Sequence, residues 1–190
     1  MTRTNTIGGR LRKPVLMTLA CLALALPAAA AEPAAQPADG RHAFDFEFGS
    51  WTMHLKRLVK PLSGSHDWVE YDGSSIVHSS WGGAASVGEI DITGPAGRIQ
   101  GMSVRVYNPA ADQWGLSFAS ARGGTLGPAM IGGFQGGRGE FYDQETFNDR
   151  AIFVRFIFSD ITAKTFHLEQ AFSDDGGKTW EANWIADFKR

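Results

Sequence analysis

The sequence predicts an all-β fold: a single antiparallel up-and-down β-barrel of about ten strands over residues 43–190. Three observations predict it. Short β-rich runs recur, each closed by a cluster of Gly, Pro, Asn, Asp or Ser. The connections are too short for parallel crossovers, which need about a dozen residues or more, so neighbouring strands must be antiparallel. No amphipathic helical stretch exceeds about two turns.

The elements follow in order. Trp51–Val59 ends in Pro61-Leu62-Ser63-Gly64-Ser65, and Trp68–Trp81, bent at Gly73, ends in Gly82-Gly83. Ser86–Thr93 turns at Gly94-Pro95-Ala96-Gly97 into Arg98–Tyr107. Asn108–Asp112 turns into Gln113–Ala119, and a Gly-rich stretch, Gly123–Pro128, precedes Ala129–Phe134. Gly136–Gly139 turns into Glu140–Thr146, Asn148-Asp149-Arg150 into Ala151–Ser159, and Asp160–Lys164 into Thr165–Phe172. Ser173–Lys178 turns into the last run, Thr179–Lys189.

Alternation supports half-buried strands. Ile152, Val154, Phe156 and Phe158 share one face, and Ala151, Phe153, Arg155 and Ile157 the other. In the last run Trp180, Ala182, Trp184, Ala186 and Phe188 share a face. Which face of each strand is interior stays open, because a one-residue slip reverses every assignment. Closing ten strands into a barrel removes exposed edges. A barrel of this size has room for one small molecule if side chains do not fill it.

Residues 1–31 read as a secretory signal peptide. Arg3, Arg10, Arg12 and Lys13 form the positive start, Val15–Leu26 the apolar core, and Pro27 to Ala31 the small-residue exit. The core is short of the roughly 20 apolar residues of a transmembrane helix. Cleavage is expected near Ala30 or Ala31, and export to a periplasm or outside the cell follows. The rival is a lipoprotein acylated at Cys21, which the poor lipobox before it disfavours. Residues 32–42, Pro/Ala-rich through Gly40, read as a disordered linker.

The mature chain then carries 14 basic against 20 acidic residues, a net charge of −6, and no cysteine. That excludes a disulfide scaffold, a Cys-ligated metal and a thiol enzyme. It argues against a nucleic-acid partner, which needs a basic surface.

Phe44–Phe48 leads into Gly49-Ser50-Trp51 at the start of the first strand. This Gly-x-Trp resembles the opening motif of the calycin superfamily: lipocalins, fatty-acid-binding proteins and nitrobindins. The resemblance implies a calycin-like barrel with Trp51 plugging its closed end. The mature chain also resembles uncharacterised exported bacterial proteins of calycin-like type. That likeness rests on Tyr107-Asn108-Pro109 with Gln113-Trp114, on Gly139–Tyr142 with Glu145–Phe147, and on Ser173–Trp180. It implies no activity.

Ser173–Trp180 fits the Asp-box pattern, a hairpin-turn device in which Asp175 holds turn amides, Gly177 supplies positive φ and Trp180 packs beneath. Gly177-Lys178-Thr179 is no phosphate loop, because Phe172 stands where the first Gly belongs. No histidine pair has metal-ligand spacing, and no metal or cofactor is expected. The haem of a nitrobindin-type barrel needs one strand histidine, and His167 is the candidate; the plainer reading makes it an outward polar residue. The i,i+2 carboxylate pairs Asp45/Glu47, Glu89/Asp91 and Asp143/Glu145 read as solvated strand ends rather than acid–base machinery. No nucleophile–base set can be named, so no catalytic residue is assigned.

The first functional expectation is therefore a barrel binding a small apolar molecule, with a carboxylate or other polar head. The expected lining is Arg155, Arg105, Trp81, Met102, Phe118, Phe156 and Trp184. Inward arginines of fatty-acid-binding barrels fork onto a ligand carboxylate, and Arg155, between Phe153 and Ile157, is the stronger anchor candidate. The second expectation is an isomerase or hydrolase acting on a lipid-like substrate, which requires Arg155, His167 or Glu169 to converge inside. The third is a filled barrel with an apolar outer interaction patch.

Overall fold

The computed structural model describes residues 1–2 and 40–190. The signal peptide, its cleavage site, Cys21 and most of the linker lie outside the described residues. The strands are β1 (Gly49–Leu58), β2 (Trp68–Ser80), β3 (Ala85–Gly94), β4 (Gly97–Asn108), β5 (Gln113–Ser120), β6 (Met130–Gln135), β7 (Arg138–Phe147), β8 (Arg150–Ser159), β9 (Thr165–Ser173) and β10 (Glu181–Lys189). Each pairs antiparallel with the next, and β10 pairs back onto β1 to close the barrel. The predicted runs match these strands with ends shifted by one or two residues. At Gly73 the backbone of β3 approaches β2 closely: a Cβ there would lie 2.1 Å from the Asp91 carbonyl oxygen of β3.

One end is closed by the residues before β1. Short 3₁₀ turns, Gly40–His42 and Asp45–Glu47, carry Phe44 into the barrel mouth. Phe44 is fully buried, with ring centroids 4.8 Å from Phe134, 5.0 Å from Trp114 and 5.3 Å from Phe158. Gly49 enters β1 at φ +102°, a region that favours glycine. Trp51 is buried, and its indole donates to the Glu47 carbonyl at 2.7 Å. The Arg190 guanidinium lies 4.1 Å over the Trp51 ring and donates to the carbonyls of Phe46, Phe48 and Ala163. Burying aromatics of this size contributes about 1.5–3 kcal/mol each.

The wall is not uniform. β5 and β6 share three paired positions, from Trp114↔Gly132 to Leu116↔Met130. β6 pairing with β7 stops at Ile131↔Tyr142. Ser117–Ser120 and Asp143–Phe147 therefore face each other across a gap in the ladder, spanned by residues 121–129. That segment is tied to β5 by the Gly127 amide donating to the Phe118 carbonyl and by the Ala119↔Leu126 bridge.

β10 departs from simple alternation. Its register with β9 shifts between Ala182 and Trp184, leaving Asn183 as the extra residue. Trp184, Ala186 and Phe188 point inward, while Trp180 packs against Tyr142 and Arg155 on the outer wall. The expected shared face of Trp180 and Trp184 is thus broken by the bulge. The Asp box is a turn as expected. Asp175 accepts from the amides of Lys178 and Thr179 and from both the Ser173 and Thr179 hydroxyls. Gly177 has φ +84°, and the Trp180 indole donates to its carbonyl at 3.1 Å. These bonds hold the Asp175 carboxyl far below the usual carboxylate range, led by those from Thr179.

Candidate functional site: an interior cavity

Above the aromatic plug the barrel encloses a cavity of about 350 Å³. This lies within the range of small-molecule sites, about 300–1,000 Å³. Small residues on one wall make the room: Ser75 on β2, Gly88 on β3 and Ser103 on β4. Phe156, Leu168, Phe172 and Trp184 supply the apolar wall opposite. Phe118, Gly127, Pro128 and Glu145 line it where the ladder between β5 and β7 is interrupted.

Arg105 is the polar feature of the deep end. It is 8% exposed, and its Nη2 lies 2.9 Å from the carboxylate of Glu47, itself 2% exposed. The guanidinium also sits 5.1 Å over the Phe44 ring. Its Nε and Nη1 are shielded from solvent and make no hydrogen bond to the protein. Burial pushes the Glu47 carboxyl up from its ordinary range, and the Arg105 charge pulls against that. Arg105 is positioned by register: it stands opposite Ser86 on β3 and Leu116 on β5, both inward.

A second polar feature sits near the interrupted ladder. Asp143 and Glu145 lie on the inward face of β7, opposite the buried Val154 and Ile152 of β8. Glu145 is exposed to solvent at the rim, and burial of part of its carboxyl together with the Asp143 charge pushes it up. One Asp143 oxygen accepts from the Gln144 amide at 2.7 Å; the other, Oδ2, is shielded and has no partner. Further in, Gln170 donates to Asn183 at 2.6 Å.

The structure brings together only part of the expected lining. Arg105, Phe118, Phe156 and Trp184 line the cavity. Arg155 does not: it lies on the outer wall, 3.6 Å from Glu169 and 4.6 Å over the Trp180 ring. The two arginines are thus reversed relative to expectation, because Phe153 beside Arg155 is an exposed outer-wall residue. Trp81 stands on the closed-end turn between β2 and β3, 73% exposed. Met102 faces an open outer-wall groove with Ile76, Glu89 and Asp91.

His167 is also outside, its Nδ1 2.8 Å from Asp187. No histidine is among the described residues lining the cavity, so the residues present do not fit a haem held from within. Among the described residues no group of three or more His, Cys, Asp or Glu side chains could hold a metal ion. Arg155, His167 and Glu169 do not converge inside, so the expectation of an enzyme built on them falls. The carboxylate pairs divide. Asp91 is on the outer wall, hydrogen-bonded to Arg98, as a solvated pair should be. Glu47 is buried in the barrel interior, whereas Asp143 and Glu145 share the inward face of β7 near its end, Asp143 half-buried and Glu145 exposed at the rim. The outer wall also carries an apolar row across β4, β6 and β7: Val106, Ile131 and Tyr142.

No protein-family model matches the chain, and neither does any curated protein. Among solved structures it is similar to the S-type phycobiliprotein lyase CPES from Guillardia theta, at 12% identity and a TM-score of 0.52, over 77% of this chain and 89% of that one. It is also similar to EF1p2_mFAP2b bound to DFHBI, at 10% identity and a TM-score of 0.45, over 80% of this chain and 99% of that one. The redesigned β-barrel mFAP0 bound to DFHBI gives 10% identity and a TM-score of 0.44, over 76% and 99%. The likeness to the lyase is one of fold: the chain forms a calycin-like up-and-down barrel.

Proposed function

We propose that this protein is an exported barrel that binds one small, largely apolar molecule in its interior cavity. The observation that carries this reading is Arg105. Its Nε and Nη1, both shielded and unpartnered, line a cavity that is otherwise mostly apolar. Leaving a buried donor unmade costs about 1–3 kcal/mol, so a ligand acceptor placed there is strongly favoured. Apolar burial supplies affinity, and Arg105 supplies orientation. Phe118, Phe156, Leu168 and Trp184 hold the apolar body. Because the cavity is hollow, the binding reading stands ahead of the filled-barrel one. The likeness to the lyase supports the barrel and no reaction.

The test is titration with N-phenyl-1-naphthylamine, a neutral probe that brightens in apolar surroundings. Saturable binding of one probe per chain is expected. Leu168→Trp fills the cavity and abolishes it, while Arg155→Ala on the outer wall leaves it unchanged. Overpacking costs about 1–3 kcal/mol, so a melting curve must show that Leu168→Trp remains folded. Failure to bind, or equal binding by Leu168→Trp, contradicts the proposal. Export is tested by N-terminal sequencing of the protein from the cell envelope. A start at Ala31 or Glu32 is expected, and an intact Met1 contradicts it.

A further inference from the structure

Resting on that binding reading, we infer that the ligand carries a cationic, amine-like end, held by Glu145 and Asp143 at the rim, and that the cavity discriminates against fatty-acid anions. Among the described lining residues Arg105 is the only base, and Glu47 already pairs with it. A ligand carboxylate seated there would bring a second buried negative charge beside Glu47. In a low-dielectric interior that repulsion is costly. What the free Arg105 N–H groups suit is a neutral acceptor such as a carbonyl, ether or hydroxyl oxygen.

The rim carries the opposite chemistry. Asp143 and Glu145 share the inward face of β7, beside the stretch where β6 no longer pairs with it. The basic residues around them are directed elsewhere. Arg150, opposite Phe147, is held by Asp174 at 2.7 Å. Arg138 pairs with Glu140, and Arg155 with Glu169. Arg122, the one basic residue of segment 121–129, reaches toward Gly97 at the β3–β4 turn. Ser75, Ser103, Ser117 and Gln170 add polarity without charge. Glu145, with Asp143 and its shielded, unpartnered oxygen beside it on the same face of β7, thus lines a cavity that also holds an apolar body and a buried acceptor-seeking arginine. The molecule complementary to that set is an apolar amine bearing an acceptor at its far end. Burial pushes Glu145 up and the Asp143 charge adds to it, and a cation seated beside the two offsets that repulsion.

The experiment uses the full chain and three matched probes: 4-phenylbutylamine, 4-phenylbutyrate and 4-phenylbutan-1-ol. Each displaces N-phenyl-1-naphthylamine at neutral pH. The amine is expected to bind about tenfold or more tighter than the carboxylate, the alcohol falling between, which corresponds to about 1.4 kcal/mol. Asp143→Asn with Glu145→Gln brings the three within about twofold, since the electrostatic selection is gone. Glu89→Gln with Asp91→Asn, on the outer wall, leaves the preference intact and so separates the rim from the net charge of the chain. Glu145→Gln alone retains part of the preference. Equal or tighter binding of the carboxylate overturns this inference while the binding function stands. An amine preference that survives the rim double variant also overturns it. If neither the naphthylamine nor any matched probe binds, the binding reading falls with it.

Discussion

The two ends of this barrel are built from the same alternating strands, yet one is solid and the other hollow. At the closed end Phe44 and Trp51 meet Trp114, Phe134, Phe158 and Phe166 at centroid distances near 5 Å. Arg190 seals that packing from outside. Toward the interrupted wall the inward positions turn to Ser75, Gly88, Ser103, Asp143 and Glu145, and the ladder between β5 and β7 breaks. The lesson is that period two decides only which residues point inward. Whether the interior is filled depends on the size of those residues and on what enters from outside the strands. Here the plug comes from the 3₁₀ turns before β1, and among the described residues no comparable aromatic cluster enters between β5 and β7.

Substitutions at the two ends should therefore separate stability from binding. The largest effect is expected from Phe44→Ala, which removes the centre of the plug and costs about 4 kcal/mol in urea unfolding. If that cost stays below about 1 kcal/mol, the aromatic plug is not what closes the barrel.

Arg105→Met comes next, at about 3 kcal/mol near neutral pH, because it leaves Glu47 buried without its counter-charge. The sign with pH follows from Glu47. Its carboxyl is already raised by burial, and losing Arg105 removes the one cause that lowers it. A raised carboxyl contributes stability that is present at low pH and lost as the pH rises through its folded value. The deficit of Arg105→Met is thus smallest in acid and grows toward neutral pH. Adding Glu47→Gln should flatten that dependence and recover most of the loss. Melting curves across the pH range check both.

Asp175→Asn should lower the melting temperature by a few degrees without changing probe affinity, because the hairpin it holds lies outside the cavity. Asp175 is depressed in the folded state, so its contribution is present above the ordinary carboxylate range and is lost as the pH falls. The gap between wild type and variant should close in strong acid. The smallest effect belongs to Arg155→Ala: under about 1 kcal/mol, as for partly exposed ion pairs, with binding unchanged.

The strand pattern and the turns were legible because Gly, Pro, Asn and Asp punctuate every run and the runs alternate. Trp51 and Asp175 were legible as local motifs whose physics lies within a few residues. The site was harder to read. Arg105 and Arg155 both sit in strands among apolar neighbours, and only register against the barrel tells them apart. The sequence did hold one sign: Arg105 alternates with Ser103, and small residues leave space for a long polar chain. Nothing local announced that Glu47 would be carried inside on a 3₁₀ turn, or that Asn183 would bulge and send Trp180 outward. Arg190 carried no pattern at all. Asp143 and Glu145 looked like a solvated pair because alternation does not tell which face of a strand is interior, and where β6 stops pairing with β7 is a tertiary fact.

The central claim is a hollow interior that holds a small molecule beside the interrupted wall. A crystal structure of the chain with N-phenyl-1-naphthylamine tests it most directly. The account predicts the probe between Phe118, Phe156, Leu168 and Trp184, behind Gly127 and Pro128. A probe lodged in the outer-wall groove beside Met102, with side chains filling the interior, would contradict it.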